Sequence, residues 1–265
     1  MKGISTAVLT KDRPLFLRDY LKSLRGMNLD ITVFYLATTP EYEEAYQKIF
    51  KGMKDLKVVV QVGKMVDYMR KWLKKANDYL FICVDDNICK HPFDVDGIIN
   101  FMEKDKDIFA FNLAVDPDIE NSPDSYGLIG TYEIHRNLIL YYPETCGGMW
   151  DNAHAFQVST MIHRKVDIER IWDKVNATFV NDLERDGRGY FPSIKKMACF
   201  DYAPMTNIHV SSNYHYNLGG IVKGTTDKEA LKLYQEGREI DIEKTFEERD
   251  RLKTTNVTEL FLKPK

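Results

Sequence analysis

The run Tyr79-Leu80-Phe81-Ile82-Cys83-Val84, followed at once by Asp85-Asp86-Asn87, constrains this chain more than any other stretch. A continuous apolar run of this length reads as a strand covered on both faces, as in parallel α/β sheets. Ligands in such sheets bind just beyond the carboxyl ends of the strands. Two adjacent acids placed there repel each other unless a positive charge lies between them, and a divalent cation is the usual source of it. The plainer alternative is a solvated turn, because Asp and Asn are ordinary turn residues. What surrounds the acids decides between the two.

The approach to this strand is a rhythm of strand and helix. Ile4 to Leu9 reads as a first strand, and Thr10-Lys11-Asp12-Arg13-Pro14 as its end, a cap and a proline in the first helical turn. Leu17, Leu21 and Leu24 follow at helical spacing until Gly26 stops the helix. A second strand over Ile31 to Leu36 closes at Ala37-Thr38-Thr39-Pro40; a helix over roughly 41 to 52 leads to a third strand, Leu56 to Val62. Met65, Met69, Trp72 and Ala76 then form one apolar helix face. This alternation predicts a parallel sheet with right-handed crossovers.

Past residue 90 the rhythm changes. Ile108 to Val115 and Ala155 to Ile162 read as strands, Thr131 to Tyr142 as a hairpin arm, and 167 to 176 as a helix. Residues 181 to 190 are polar and Gly-rich, 227 to 253 are charged and helical in pattern, and the last dozen look like a tail. The expectation is one domain over 1–215, with a nucleotide-binding half (1–90) and an acceptor half (91–215), and a helical appendage over 216–265 packed on it.

Composition sets the outer limits. The 265 residues carry a net charge of −3, so no global basic field draws nucleic acid, and a nucleic-acid partner is disfavoured. The four cysteines, Cys83, Cys89, Cys146 and Cys199, lack C-x-x-C spacing and are expected to be reduced, in a cytoplasmic protein. No basic segment followed by a long apolar one opens the chain, so no signal peptide is expected. No apolar run nears the ~18 residues of a bilayer span.

A parallel β/α half, acids after its fourth strand, then a mixed β half resembles the GT-A fold glycosyltransferases that use nucleotide-diphospho-sugars, family 2-type enzymes above all. The resemblance covers about residues 1 to 215 and rests on four places. Val8-Leu9-Thr10-Lys11-Asp12-Arg13-Pro14 resembles the opening strand and turn that receive base and ribose. It implies nucleotide contacts from Thr10 and Arg13, from Thr38 at the end of the second strand, and from Asp85. Physically, Arg13 offers a cationic fork near a helix N-terminus, suited to an anion; the alternative is a capping turn with a solvated Arg.

Asp85-Asp86-Asn87 resembles the D-x-D-type motif that holds Mn²⁺ or Mg²⁺ on the donor pyrophosphate, with Asn87 where the family has its last acid. A hard cation offsets the charge that builds on a departing nucleoside diphosphate. Cys146-Gly147-Gly148-Met149-Trp150-Asp151 resembles the loop beneath sugar and acceptor. Gly147 and Gly148 would admit close backbone approach, Trp150 would offer an apolar face to a sugar ring, and Asp151 lies beside them. The bland alternative is a tight turn with a core Trp. Asn181-Asp182-Leu183-Glu184-Arg185-Asp186-Gly187-Arg188-Gly189 loosely resembles the stretch bearing the catalytic base, with compressed spacing. Asp182 is the candidate base, Glu184 the reserve, and an N-cap with a solvated acidic face the alternative. Finally, His209 and His215 lie in a segment crowded with Tyr and Asn, and a late His ligates the metal in some GT-A enzymes.

The resemblance implies a metal-dependent hexosyltransferase that moves a sugar from a nucleotide-diphosphate sugar to a glycan or other hydroxyl acceptor, inverting with an Asp base. A sugar-1-phosphate nucleotidyltransferase is the second reading. It is disfavoured because those enzymes have a Gly-rich basic loop after the first strand and Thr10 to Pro14 has no Gly. A catalytically silent nucleotide- or carbohydrate-binding protein is the third.

Overall fold

Strand and helix alternate through the first part of the chain as β1 (Ile4–Lys11), α1 (Pro14–Ser23), β2 (Asp30–Leu36), α2 (Pro40–Lys51), β3 (Lys57–Val60), α3 (Met65–Leu73) and β4 (Tyr79–Val84). There follow β5 (Asn87–Cys89), α4 (Val95–Lys104), β6 (Ile108–Asn112), β7 (Asn121–Ser122), β8 (Ser125–Tyr126), β9 (Tyr132–His135) and β10 (Leu138–Tyr141). The remainder comprises β11 (Met161–Arg164), α5 (Lys165–Trp172), β12 (Lys196–Phe200), β13 (Met205–Ile208), α6 (Asp227–Gln235), α7 (Ile242–Leu252) and β14 (Asn256–Val257). These come from a computed structural model that describes residues 3–53, 55–118, 121–122, 125–126, 132–142, 158–178, 182–183, 196–209, 225–254 and 256–264.

The architecture is GT-A-like: a mostly parallel central sheet with helices on both faces and a mixed β second half. The nine-stranded sheet runs β3-β2-β1-β4-β11-β6-β12-β10-β9. β1 pairs in parallel with β2 and β4, and β2 with β3, so the carboxyl ends of β1 to β4 share one edge. β11 is inserted antiparallel between β4 and β6, and β9 and β10 form the expected hairpin.

β4 is covered on both faces, as its unbroken apolar run requires. Tyr79, Phe81 and Cys83 join one core cluster with Tyr20, Leu21 and Val33; Leu80 and Ile82 join the other with Met69, Ile168 and Trp172. Each fully buried large apolar side chain contributes roughly 1.5–3 kcal/mol, so this strand anchors both layers. Burial also pushes the Cys83 thiol up to about 12, and Cys83, Cys89 and Cys199 are all buried. Cys146 lies outside the described residues.

Two sequence expectations are corrected. The strand expected over 155 to 162 is β11, displaced toward Arg164, whose guanidinium donates to the Asp105 carbonyl at 3.1 Å and fixes the strand's end beside β6. Residues 155 to 157 lie outside the described residues. The last dozen residues are no loose tail. Their β14 pairs in parallel with β13, β13 pairs antiparallel with β5, and Leu262 bridges Ile240. The three-stranded sheet therefore ties the chain's end to the residues that directly follow Asp86. Among the described residues no helix is long and apolar enough to cross a membrane.

Candidate active site

Asp85 and Asp86 stand where the sequence puts them, directly beyond β4 at the carboxyl edge of the parallel strands. The Asp85 amide donates to the Leu9 carbonyl at 3.2 Å, so the acids remain registered against the end of β1. Asp85 is fully buried and Asp86 nearly so. The positive charge between them comes from Arg13. Its Nη1 lies 3.0 Å from Asp86 Oδ2, and its Nη2 forms an ion pair with Asp85 Oδ1.

Arg13 reaches the acids because the chain turns sharply after β1. Asp12 takes a left-handed backbone conformation (φ 55°), which Asp tolerates better than most residues. Its carboxylate holds the end of β2: Thr38 N donates to Oδ1 at 2.8 Å and Thr38 Oγ1 to Oδ2 at 2.7 Å. Pro14 then starts α1 with a preset φ, leaving Arg13 as the N-cap residue.

A chain of hydroxyls supports the pair from below. Thr10 Oγ1 donates to Asp85 Oδ2 at 2.5 Å and lies 2.8 Å from Tyr46 Oη. The Arg13 backbone N–H donates to the same Tyr46 oxygen at 2.9 Å. Because a backbone N–H only donates, and the Thr10 hydrogen goes to Asp85, the Tyr46 hydrogen goes to Thr10. The sense of the chain is thus fixed: Arg13 N–H to Tyr46, Tyr46 to Thr10, Thr10 to Asp85. The Tyr46 ring lies against Tyr35 and Phe50, at centroid distances of 5.1 and 6.0 Å. Burial pushes the Tyr46 hydroxyl well up, which keeps it a donor.

Burial also pushes the Asp85 carboxyl up to about 7; Arg13 pulls against that shift and Asp86 adds to it. The site therefore holds one buried carboxyl that is harder to ionise than an ordinary Asp, beside a second acid and a guanidinium. Among the described residues Asp85 Oδ1 accepts no hydrogen bond, and Arg13 is the opposite charge in contact with it. Two oxygen donors at a sheet edge, one of them buried without a hydrogen bond, fit a hard divalent cation once the guanidinium gives way. Among the described residues no three His, Cys, Asp or Glu side chains converge as a metal site.

The other predicted residues divide clearly. Asn87 is buried in β5, and its amide bonds Asn207, which in turn donates to Asn256 at 2.7 Å. This amide ladder crosses β5, β13 and β14 in register. The Ile208 amide donates to the Asp86 carbonyl at 2.7 Å, which brings the backbone of His209 alongside the acids. Asp182 accepts from Thr178 N at 3.3 Å. Thr178 lies at the start of α3, where its carbonyl accepts from Met65 N at 3.1 Å. Gly147, Gly148, Trp150, Asp151, Glu184 and His215 lie outside the described residues.

Tyr46 and Asp12 were missed from the sequence. Tyr46 carried a signal: it lies on the apolar face of α2 with Tyr42, Ala45 and Ile49, and a buried Tyr hydroxyl needs a partner.

No protein-family model matches the sequence, and no curated protein matches it. Among solved structures the chain is similar to a mannosyltransferase from Pyrobaculum calidifontis, in complex with GDP-Man and Mn²⁺. The identity is 12% and the TM-score 0.42, over 68% of this chain and 50% of that one. HddC from Yersinia pseudotuberculosis is similar at 12% identity and TM-score 0.44, over 77% of this chain and 92% of that one. A 4-diphosphocytidyl-2C-methyl-D-erythritol synthase from Anaerococcus prevotii is similar at 11% identity and TM-score 0.41, over 77% and 89%. The chain spans half the length of the mannosyltransferase.

Proposed function

We propose that this protein is a metal-dependent glycosyltransferase that moves a sugar from a nucleoside-diphosphate sugar to a hydroxyl acceptor. The observation that carries the reading is the joining of Thr10, Arg13, Asp85 and Asp86 at the carboxyl ends of two adjacent parallel strands. Such an edge is where α/β sheets take nucleotides.

In this reading Asp85 and Asp86 hold Mn²⁺ or Mg²⁺, with His209 and His215 as further candidates. The bound cation would offset charge on the departing diphosphate. Asn87 serves by fixing the strand behind the acids, since its amide is engaged by Asn207. Base and ribose lie between the turn at Arg13 and the end of β2, where Asp12 holds Thr38 in place. Gly147, Gly148, Trp150 and Asp151 are proposed to receive the sugar and acceptor.

Asp182 is proposed as the general base that takes the acceptor's hydroxyl proton as that oxygen attacks the anomeric carbon, with Glu184 in reserve. What supports Asp182 is its contact with Thr178 at the start of α3, beyond β3 and so on the same sheet edge as the acids.

The test is a panel of nucleoside-diphosphate sugars with Mn²⁺, read by calorimetry and by donor turnover, on wild type, Asp85→Ala and Asp86→Ala. Metal-dependent binding of one donor, weakened in both folded variants, is expected. Unchanged affinity in both variants and in EDTA would sink the reading. Turnover of a nucleoside triphosphate with a sugar 1-phosphate would replace it with nucleotidyl transfer. Binding without turnover would leave the silent binding protein.

A further inference from the structure

In this structure Arg13 does the electrostatic work that the sequence assigned to a metal. We propose that Arg13 is a displaceable counter-ion: it neutralises Asp85 and Asp86 in the resting protein and yields them to a divalent cation when a diphosphate takes its guanidinium. The inference rests on the metal-dependent reading above and adds an order to binding at that site.

Three observations carry it. The guanidinium is divided between two acids, Nη2 to Asp85 and Nη1 to Asp86. A fork split in this way forgoes the two parallel bonds that one carboxylate or phosphate would accept. Asp85 does not depend on Arg13 for its position. Thr10 donates to it at 2.5 Å and is itself backed by Tyr46, so the carboxylate stays in place if the guanidinium leaves. The Arg13 side chain is 17% exposed, against 0% for Asp85 and 4% for Asp86. It is the most exposed member of the trio, and so the one best placed to meet an incoming ion.

The start of α1 supplies a destination for the released charge. Among the described residues α1 has no side-chain cap and no acid in its first turn, and Arg13 is its N-cap residue, so the guanidinium is carried by the residue that opens the helix. A helix start and a guanidinium both suit an anion. A diphosphate bound there gives the guanidinium a bidentate partner and frees two carboxylates for the cation. Metal and diphosphate then favour each other's binding, and the effect is reciprocal.

The test measures Mn²⁺ binding by electron paramagnetic resonance, first with Mn²⁺ alone and then with UDP present. The proteins are wild type, Arg13→Gln, Arg13→Lys and, to mark the site, Asp86→Asn. Circular dichroism and melting confirm folding, and Arg13→Lys carries the comparison if Arg13→Gln does not fold. With Mn²⁺ alone, Arg13→Gln is expected to bind at least ~10-fold more tightly than wild type, because a competing charge within ~4 Å has gone. Arg13→Lys should fall between them. UDP should strengthen Mn²⁺ binding more in wild type than in Arg13→Gln. Equal or weaker Mn²⁺ binding in both Arg13 variants, at a site that Asp86→Asn abolishes, overturns the exchange and leaves the metal reading standing. No Mn²⁺ bound by any protein, with or without UDP, overturns both.

Discussion

Arg249 of α7 places Nη2 2.6 Å from Asp116 Oδ2, joining residues 133 apart in sequence across a contact that is nearly fully buried. The same nitrogen donates to the Ala114 carbonyl at 3.3 Å, so one guanidinium pins α7 to the segment that leaves β6. One guanidinium thus holds α7, part of the expected C-terminal helical appendage, against the body of the fold.

Arg249→Ala strands Asp116 as a buried, unpaired acid. Breaking such a pair costs about 3–5 kcal/mol, so urea unfolding should show a loss of that size. Replacing both partners with apolar residues should recover most of it. A loss below ~1 kcal/mol for Arg249→Ala would mean that water reaches Asp116 and the pair is not closed off.

Tyr46→Phe removes one hydroxyl and leaves both the Arg13 N–H and the Thr10 oxygen without the partner they have now. A buried polar group left unsatisfied costs about 1–3 kcal/mol. The variant is expected to lose that much stability while its ring still packs on Tyr35 and Phe50. Denaturation curves that overlay wild type would show that the hydroxyl chain bears no strain of support.

Asp85 gives a pH dependence of definite sign. Burial raises its folded-state pKa to about 7, whereas in the unfolded chain an Asp titrates near ~3.9. Between these values the native state holds a proton that the unfolded state releases, so stability from this group is fully present below the lower value and is lost as pH rises through the upper. Wild type should therefore lose stability relative to Asp85→Asn as pH climbs from about 4 to 7 in metal-free buffer. Parallel stability–pH curves for the two proteins would refute the shift.

The parallel half of the fold was legible because its signals are local. Unbroken apolar runs such as Tyr79 to Val84 need two covers, and helical faces such as Met65 and Met69 supply one of them. The acids at the end of β4 were legible for the same reason. What the sequence hid is long-range. Arg13 meets Asp86 across 73 residues, and no pattern within a short window records that pairing. β13 and β14 are short, and their reason to be strands is each other and β5, through the ladder of Asn87, Asn207 and Asn256. The metal expectation followed from electrostatics that were sound, since a cation does sit between the acids. A side chain can supply that cation as well as a metal, and spacing alone does not distinguish them.

The catalytic role of Asp182 is the most exposed expectation. A sugar hydroxyl has a pKa far above 7, so its direct attack needs a carboxylate in position to take the proton. At present Asp182 Oδ2 accepts the Thr178 amide hydrogen at 3.3 Å. Asp182→Asn leaves an amide oxygen that can still accept it, so the contact with Thr178 should survive. Donor affinity, which the proposed function assigns to the acid pair and the turn at Arg13, should hardly change. Transfer should fall by at least ~100-fold, the lower range for loss of a general base. Single-turnover rates beside calorimetric donor affinity would separate the two effects. Most of the transfer rate surviving in a folded variant would move the role to Glu184 or Asp151, or point to a retaining reaction that needs no such base. An equal loss of donor affinity and rate would instead mean that Asp182 positions Thr178 at the start of α3 and takes no proton.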